Sequence, residues 1–335
     1  GCSSHVREGT TTMNQYPKFA DLKRPDDTGL PLAWGVWGED DQLGTLNNIT
    51  PEAVREAAAL VKRGARFNLD LPLHVPYGVA KEKAHRFRTA PKHTINAITG
   101  TGSLPARDDL LDSFYLQSSS QWDGLTHIGD PLHGFYNGVQ PEQITNGPDS
   151  RNGIENMAEF GIAGRAVLAD LSRHFANIGR DWHPNRQQVV TPEEVEACLS
   201  AQGSPLRPGD ILLVRYGWLE MFLSAPDTEA RDAVLRPWSF SGLSGGEEMW
   251  AFLWENRLAA VASDSVVTEV WPLVEGKPSL HLAIARLGLT IGELFDLEAL
   301  AEDSAVTGDY TAFFTSSPLN LRGGVGSPPN AMAIR

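Results

Sequence analysis

Apolar and polar positions fall into three regimes along the chain. Residues 1–32 are mostly polar and follow no period, which predicts an irregular arm and leaves 33–335 as one folded domain. Trp34-Gly35-Val36-Trp37-Gly38 opens the ordered part. Thr50-Pro51-Glu52 supplies an N-cap, an N1 proline and a first-turn acid, predicting a helix to about Arg63 that Gly64 stops. Phe67-Asn68-Leu69-Asp70-Leu71 alternates as a half-buried strand would. Residues 75–110 carry many Gly, Pro, Lys, Arg and Thr without a period and read as a long loop. Loops of that length more often serve function or a partner than lie idle. Phe114-Tyr115-Leu116 predicts a strand entering 121–127, and 137–163 is again loop-rich.

Beyond residue 163 strands and helices alternate. Ala166-Val167-Leu168-Ala169-Asp170-Leu171, Asp210 to Tyr216 and Ala259 to Ser263 are strand-like apolar runs. Thr191-Pro192-Glu193-Glu194 opens a helix, with Glu194 placed to close a capping box. Ser244 to Asn256 is helical, and two closing helices are expected over 279–287 and 291–301. No internal repeat or linker divides the chain, so one α/β domain follows.

Composition narrows the function. A chain of 335 residues can bury a large core without disulfides or a structural metal, so a bound metal would serve chemistry. The formal charge of −14 repels phosphate backbones and anionic lipid, which argues against nucleic-acid and membrane partners and leaves a small molecule. Two cysteines, Cys2 and Cys198, fit a reducing compartment, and no apolar run is long enough to span a bilayer. Gly1-Cys2 reads as an added or frayed tail rather than a processed lipoprotein end, and the expected location is the cytoplasm.

The chemistry concentrates in Asp123-Gly124-Leu125-Thr126-His127-Ile128-Gly129-Asp130-Pro131-Leu132-His133. Imidazole and carboxylate are the donors that suit Zn²⁺ or Mn²⁺. Asp123 and His127, four residues apart, would share one face of a strand and reach one ion. The same stretch also reads as a polar turn with two ordinary histidines. No zincin motif, cysteine pair or phosphate-cradling glycine loop competes with it.

That stretch resembles the signature of the cyclase-like metallohydrolases, the family that includes bacterial kynurenine formamidase and isatin hydrolase. Their signature reads His-x-Gly-Thr-His-x-Asp-x-Pro-x-His, and Thr126, His127, Pro131 and His133 fall on its positions. Further matches follow in order: Pro208 to Trp218 with its Gly217-Trp218 pair, Gly242-Leu243-Ser244, Ala262-Ser263-Asp264, His281 twelve residues before Glu293, and Gly326-Ser327-Pro328. The resemblance runs from about Trp34 to the C-terminus. It implies a compact, swivelling β/β/α-type domain with a mixed sheet and surrounding helices, in a homodimer or homotetramer. The Trp34 to Trp37 segment and the 75–110 loop are candidate subunit contacts.

Two positions depart from the family pattern. Asp123 replaces the first histidine and still offers an oxygen to the ion. Gly129 stands where an aspartate bridges two metals in binuclear members, and Asp130 would point to the opposite face, so one ion is expected. The resemblance implies Asp123, His127, His281 and Glu293 as the metal set, with His281 either a ligand or a group that orients the ligands. Gln121 is a candidate outer partner or an occasional ligand. Taken alone, Glu293 also fits a capping-box acid after Thr290, and His281 a satisfied core histidine. Trp122, Trp218, Trp238, Phe240 and Trp250 would wall a pocket or fill the core.

The implied reaction is hydrolysis of an amide, lactam or ester by a metal-activated water, with His133 as general base and then acid. A lyase or cyclase on the same Lewis-acid centre is one rival. A metal-free binding protein on the same fold is another.

Overall fold

The computed structural model describes residues 16–81 and 88–335, so Cys2, His5, His85 and part of the 75–110 segment lie outside the described residues. Within them the strands are β1 (Arg66–Asn68), β2 (Lys92–Ala97), β3 (Arg107–Asp112), β4 (Gln121–Asp123), β5 (Ile162–Asp170), β6 (Val189–Val190) and β7 (Ile211–Arg215). They continue as β8 (Gly242–Leu243), β9 (Ala260–Ser263), β10 (Thr290–Glu293), β11 (Thr311–Ser316), β12 (Gly326–Ser327) and β13 (Ala331–Ile334). The helices are α1 (Pro51–Ala58), α2 (Glu155–Phe160), α3 (Leu171–Ile178), α4 (Pro192–Gln202) and α5 (Trp218–Leu223). They are followed by α6 (Thr228–Leu235), α7 (Glu247–Glu255), α8 (Leu282–Leu287) and α9 (Glu298–Thr307).

One mixed sheet runs β1-β13-β11-β5-β7-β9-β10-β4-β12. Its centre, β5-β7-β9-β10, is parallel, and the flanking pairs are antiparallel. All residues of β7, β9 and β10 are buried. Parallel strands need crossover helices that cover the sheet, which is why these sequences are unbroken apolar runs rather than alternating ones. The helix starts obey their local chemistry. Thr50 accepts the Ala53 N–H at 3.1 Å, and Thr191 and Glu194 form a reciprocal capping box before α4.

The mixed sheet and its helices match the α/β architecture the resemblance implied. The described part of the arm packs into this domain: Phe19, Leu22 and Leu30 are buried in its main core. A second apolar cluster of Leu71, Val75, Trp218, Phe222, Phe240, Val266 and Leu294 supports the loops at the end of β9 and β10. Among the described residues no helix is long and apolar enough to cross a membrane.

Several local expectations are corrected. Residues 290–293 are a strand, not the start of a helix over 291–301; α9 begins at Glu298. The Thr290–Glu293 segment has helix-start chemistry, but burial between β9 and β4 requires its backbone groups to join the sheet ladder. Residues 114–116 are not a strand, and the predicted strand begins at Gln121. The 75–110 segment is not loop throughout, because β2 and β3 pair as an antiparallel hairpin from Lys92 opposite Asp112 to Ala97 opposite Arg107. Its strands are exposed on both faces, which erased the hydrophobic alternation that would have marked them. Trp122, Trp218 and Trp250 are fully buried core residues rather than the walls of an open pocket.

Candidate metal centre

β4 and β10 lie side by side and antiparallel, with Gln121 opposite Glu293 and Asp123 opposite Ile291. Directly opposed residues share a face, so Gln121, Asp123 and Glu293 project together while Trp122 points the other way onto Phe295. β12 backs this edge closely. A Cβ at Gly326 would meet the Trp122 carbonyl at 2.8 Å, so only glycine allows the approach. His281 enters from the β9–β10 crossover, at the N-cap of α8. Its Nε2 lies 3.0 Å from Glu293 Oε1 and 3.4 Å from Asp123 Oδ2. One donor atom each from Asp123, His281 and Glu293 falls within 4.8 Å of the others.

His127 joins the edge of this group for a different reason than strand periodicity. The chain leaves β4 in a turn closed by the His127 N–H on the Gly124 carbonyl at 3.0 Å. That turn carries His127 Nε2 to 3.7 Å from Asp123 Oδ1.

Behind His281 stands Glu269, which the sequence did not reveal. Its Oε1 is 2.6 Å from His281 Nδ1, and it also accepts from the Leu280 N–H and the Ser279 hydroxyl. A carboxylate on Nδ1 fixes the imidazole with its Nε2 lone pair facing the cluster, as outer partners of metal-binding histidines do. Glu269 precedes His281 by the same 12 residues that separate His281 from Glu293, but no local pattern marks it. Gln121 Nε2 lies 3.4 Å from Glu293 Oε2.

The donors fit a cation. Asp123 is fully buried, yet neither carboxylate oxygen accepts a hydrogen bond, and Gln121 Oε1 and Thr126 Oγ1 are also buried without a partner. Buried carboxylate oxygens are rarely left so, because the desolvation cost is several kcal/mol. Burial pushes the Asp123 carboxyl up, but His127 and His281 outweigh it and hold the group below its usual range. Glu293 moves up, through burial and the adjacent Asp123 charge. Burial opposes protonation of His281, but Asp123, Glu269 and Glu293 together raise its pKa well above the ordinary histidine value. Three carboxylates, those of Asp123, Glu269 and Glu293, thus surround the one imidazole of His281, an acid-rich donor set of the kind a divalent ion takes.

Gly129 contributes nothing to it, and a Cβ there would meet the Phe135 ring at 3.1 Å. Asp130 does not substitute: its carboxylate receives the Leu132 and His133 N–H groups and Arg286 Nε. His133 stands outside the group of three. Its Nε2 is 2.7 Å from Asp26 Oδ2, and its ring meets Trp34 edge-on. A groove of about 550 Å³ lined by Leu199, Pro205 and Phe252 contains none of these residues.

A family model described as "Putative cyclase" matches residues 72–270. A crystal structure described as a novel cyclase superposes with a TM-score of 0.78 at 33% identity, covering 91% of this chain and 99% of its own. Isatin hydrolase A from Labrenzia aggregata, solved with benzyl benzoate, gives 0.51 at 16% identity, covering 80% and 93%. The isatin hydrolase A of Ralstonia solanacearum gives 0.50 at 15%, covering 81% and 92%. At such identities these two share the fold. No curated protein sequence matches.

Proposed function

The chain belongs to the cyclase family, and from that premise we propose that it is a metal-dependent hydrolase opening or cleaving a small cyclic or acyl amide or ester. The observation that carries this reading is Asp123: a fully buried carboxylate that, among the described residues, accepts no close hydrogen bond and faces His281 and Glu293. Asp123, His281 and Glu293 would hold one divalent ion, Mn²⁺ or Zn²⁺, with His127 beside them as a further donor. One ion is proposed because Gly129 lacks a side chain. When bound, the ion supplies Lewis acidity, polarising a carbonyl and lowering the pKa of water from about 16 towards about 7.

The chain's own residues do the rest. Glu269 holds Nδ1 of His281 so that Nε2 faces the ion site. Gln121 Nε2 and the Thr268 N–H lie against Glu293, fixing its carboxylate. His133 takes a proton from the attacking water and returns it to the leaving nitrogen or oxygen. Carbon–nitrogen bonds are the preferred target, on the strength of the isatin hydrolases that share the fold. The acidic surface supports a small-molecule substrate, and the buried free Cys198 a cytoplasmic setting.

Isatin is the first probe, followed optically in protein loaded with Mn²⁺ or Zn²⁺. Ring opening with one ¹⁸O from labelled water supports hydrolysis. Product without solvent oxygen would make the protein a lyase or cyclase. A folded chain that takes up no metal would leave a binding protein.

Association of copies is proposed through the β2–β3 hairpin, which exposes Ile95, Leu110 and Leu111. A lone two-stranded hairpin is marginal in water, so a covering neighbour would account for its order. Sedimentation should give a dimer or tetramer, and a monomer at micromolar concentration would overturn this.

A further inference from the structure

We propose that Asp26, in the N-terminal arm, is the positioning residue of His133, and that Arg286 ties this pair to the helix that begins at His281. The inference rests on the reading of His133 as the proton-transferring group.

Three separate parts of the chain converge here. From the loop after β4, the His133 N–H is held by Asp130 Oδ1 at 3.0 Å. From the arm, Asp26 Oδ2 approaches His133 Nε2 at 2.7 Å. From α8, the buried Arg286 reaches both acids, with Nε on Asp130 Oδ2 at 2.5 Å and Nη2 on Asp26 Oδ2 at 2.9 Å. Its Nη1 donates to the Leu30 carbonyl at 2.7 Å, fixing the arm again. Trp34 closes the ring, its indole perpendicular to the His133 imidazole at 6.1 Å and its Nε1–H donating to the Ala285 carbonyl of the same helix.

The arrangement dictates what His133 can do. The Thr28 hydroxyl, His133 and Arg286 hold the Asp26 carboxyl far below its ordinary range, so it is an ionised acceptor. A carboxylate cannot donate, so the shared proton sits on His133 Nε2. The free lone pair of the neutral ring is then on Nδ1, the one nitrogen left to take a proton. Arg286 would be neutralised by Asp130 alone, so salvaging its charge does not require Asp26. What Asp26 adds is a fixed tautomer and ring angle at His133. Because α8 carries Arg286 one turn beyond His281, the proton-transfer group and the ion site are set against the same rigid element.

The test uses full-length protein with ¹⁵N-labelled histidine, comparing wild type with Asp26→Ala, Asp26→Glu and His133→Ala. Ring-nitrogen NMR of the wild type should show neutral His133 solely as the Nε2–H form, and Asp26→Ala should give a mixture of tautomers. Metal content should be unchanged in Asp26→Ala. With isatin as probe, kcat should fall on the order of 10- to 100-fold with KM within about twofold, and Asp26→Glu should recover part of it. A wild-type ring protonated on Nδ1, or a tautomer unmoved by Asp26→Ala, would overturn the pairing. Full turnover in His133→Ala would instead overturn the proton-transfer reading on which the positioning role depends.

Discussion

Among the described residues, the histidine–carboxylate clusters around His133 and His281 differ in a way that explains what each is for. Around His133, both acids are spoken for: Asp26 and Asp130 receive the Arg286 guanidinium, backbone N–H groups and the imidazole. Around His281, Asp123 and Glu293 face each other across the imidazole, and among the described residues no Lys or Arg is hydrogen-bonded to either and Asp123 has only imidazole nitrogens at 3.4 and 3.7 Å. The first cluster carries its cation in the sequence. The second is more deeply buried, and the positive charge its acids gather in the apo state is the His281 imidazolium, which an incoming ion can displace as a proton.

The contrast can be broken from either side, and the largest effect is expected at Asp123. Asp123→Asn should reduce bound metal from about one equivalent to near zero and abolish turnover, read by elemental analysis and the isatin assay. The same variant without metal should melt within about 2 °C of metal-free wild type, because Asp123 has only the imidazoles of His127 and His281 beside it, at 3.7 and 3.4 Å. Arg286→Ala should behave differently, costing about 3–5 kcal/mol in denaturant unfolding because it strands the buried Asp130 carboxylate. Equal melting behaviour of the two variants would erase the distinction between the clusters.

Smaller effects sharpen it. Glu269→Gln should weaken metal binding about 10- to 100-fold by loosening the orientation of His281. Metal affinity should also depend on pH with a definite sign. The three carboxylates hold His281 protonated to a pH well above the ordinary histidine range, and the ion needs the Nε2 lone pair. Binding therefore expels a proton, and below that pKa the dissociation constant should rise about tenfold for each unit fall in pH. Calorimetry in buffers of different ionisation enthalpy would register the released proton, and a pH-independent affinity would contradict the protonated apo state.

Much of this is legible in the sequence, in a specific way. The apolar runs at 166–171, 210–216 and 259–263 became the central strands because full burial on both faces leaves an unbroken hydrophobic signal. The helix starts at Thr50 and Thr191 were readable because a cap is a four-residue affair. The family resemblance, carried by Thr126, His127, Pro131 and His133, is borne out by the matching family model. Failures arose where distant contacts outweigh local chemistry. Thr290 to Glu293 reads as a helix cap until β4 and β9 close on it. Glu269 and Asp26 have no local mark at all. Each gains meaning only from a residue brought to it by the fold, His281 in one case and His133 in the other.

The most direct test of the central claim is the metal content per chain of protein purified without chelator. The account predicts about one equivalent of Mn or Zn in wild type and almost none in Asp123→Asn. A wild-type chain that is folded, free of metal and unable to take it up on addition would contradict it.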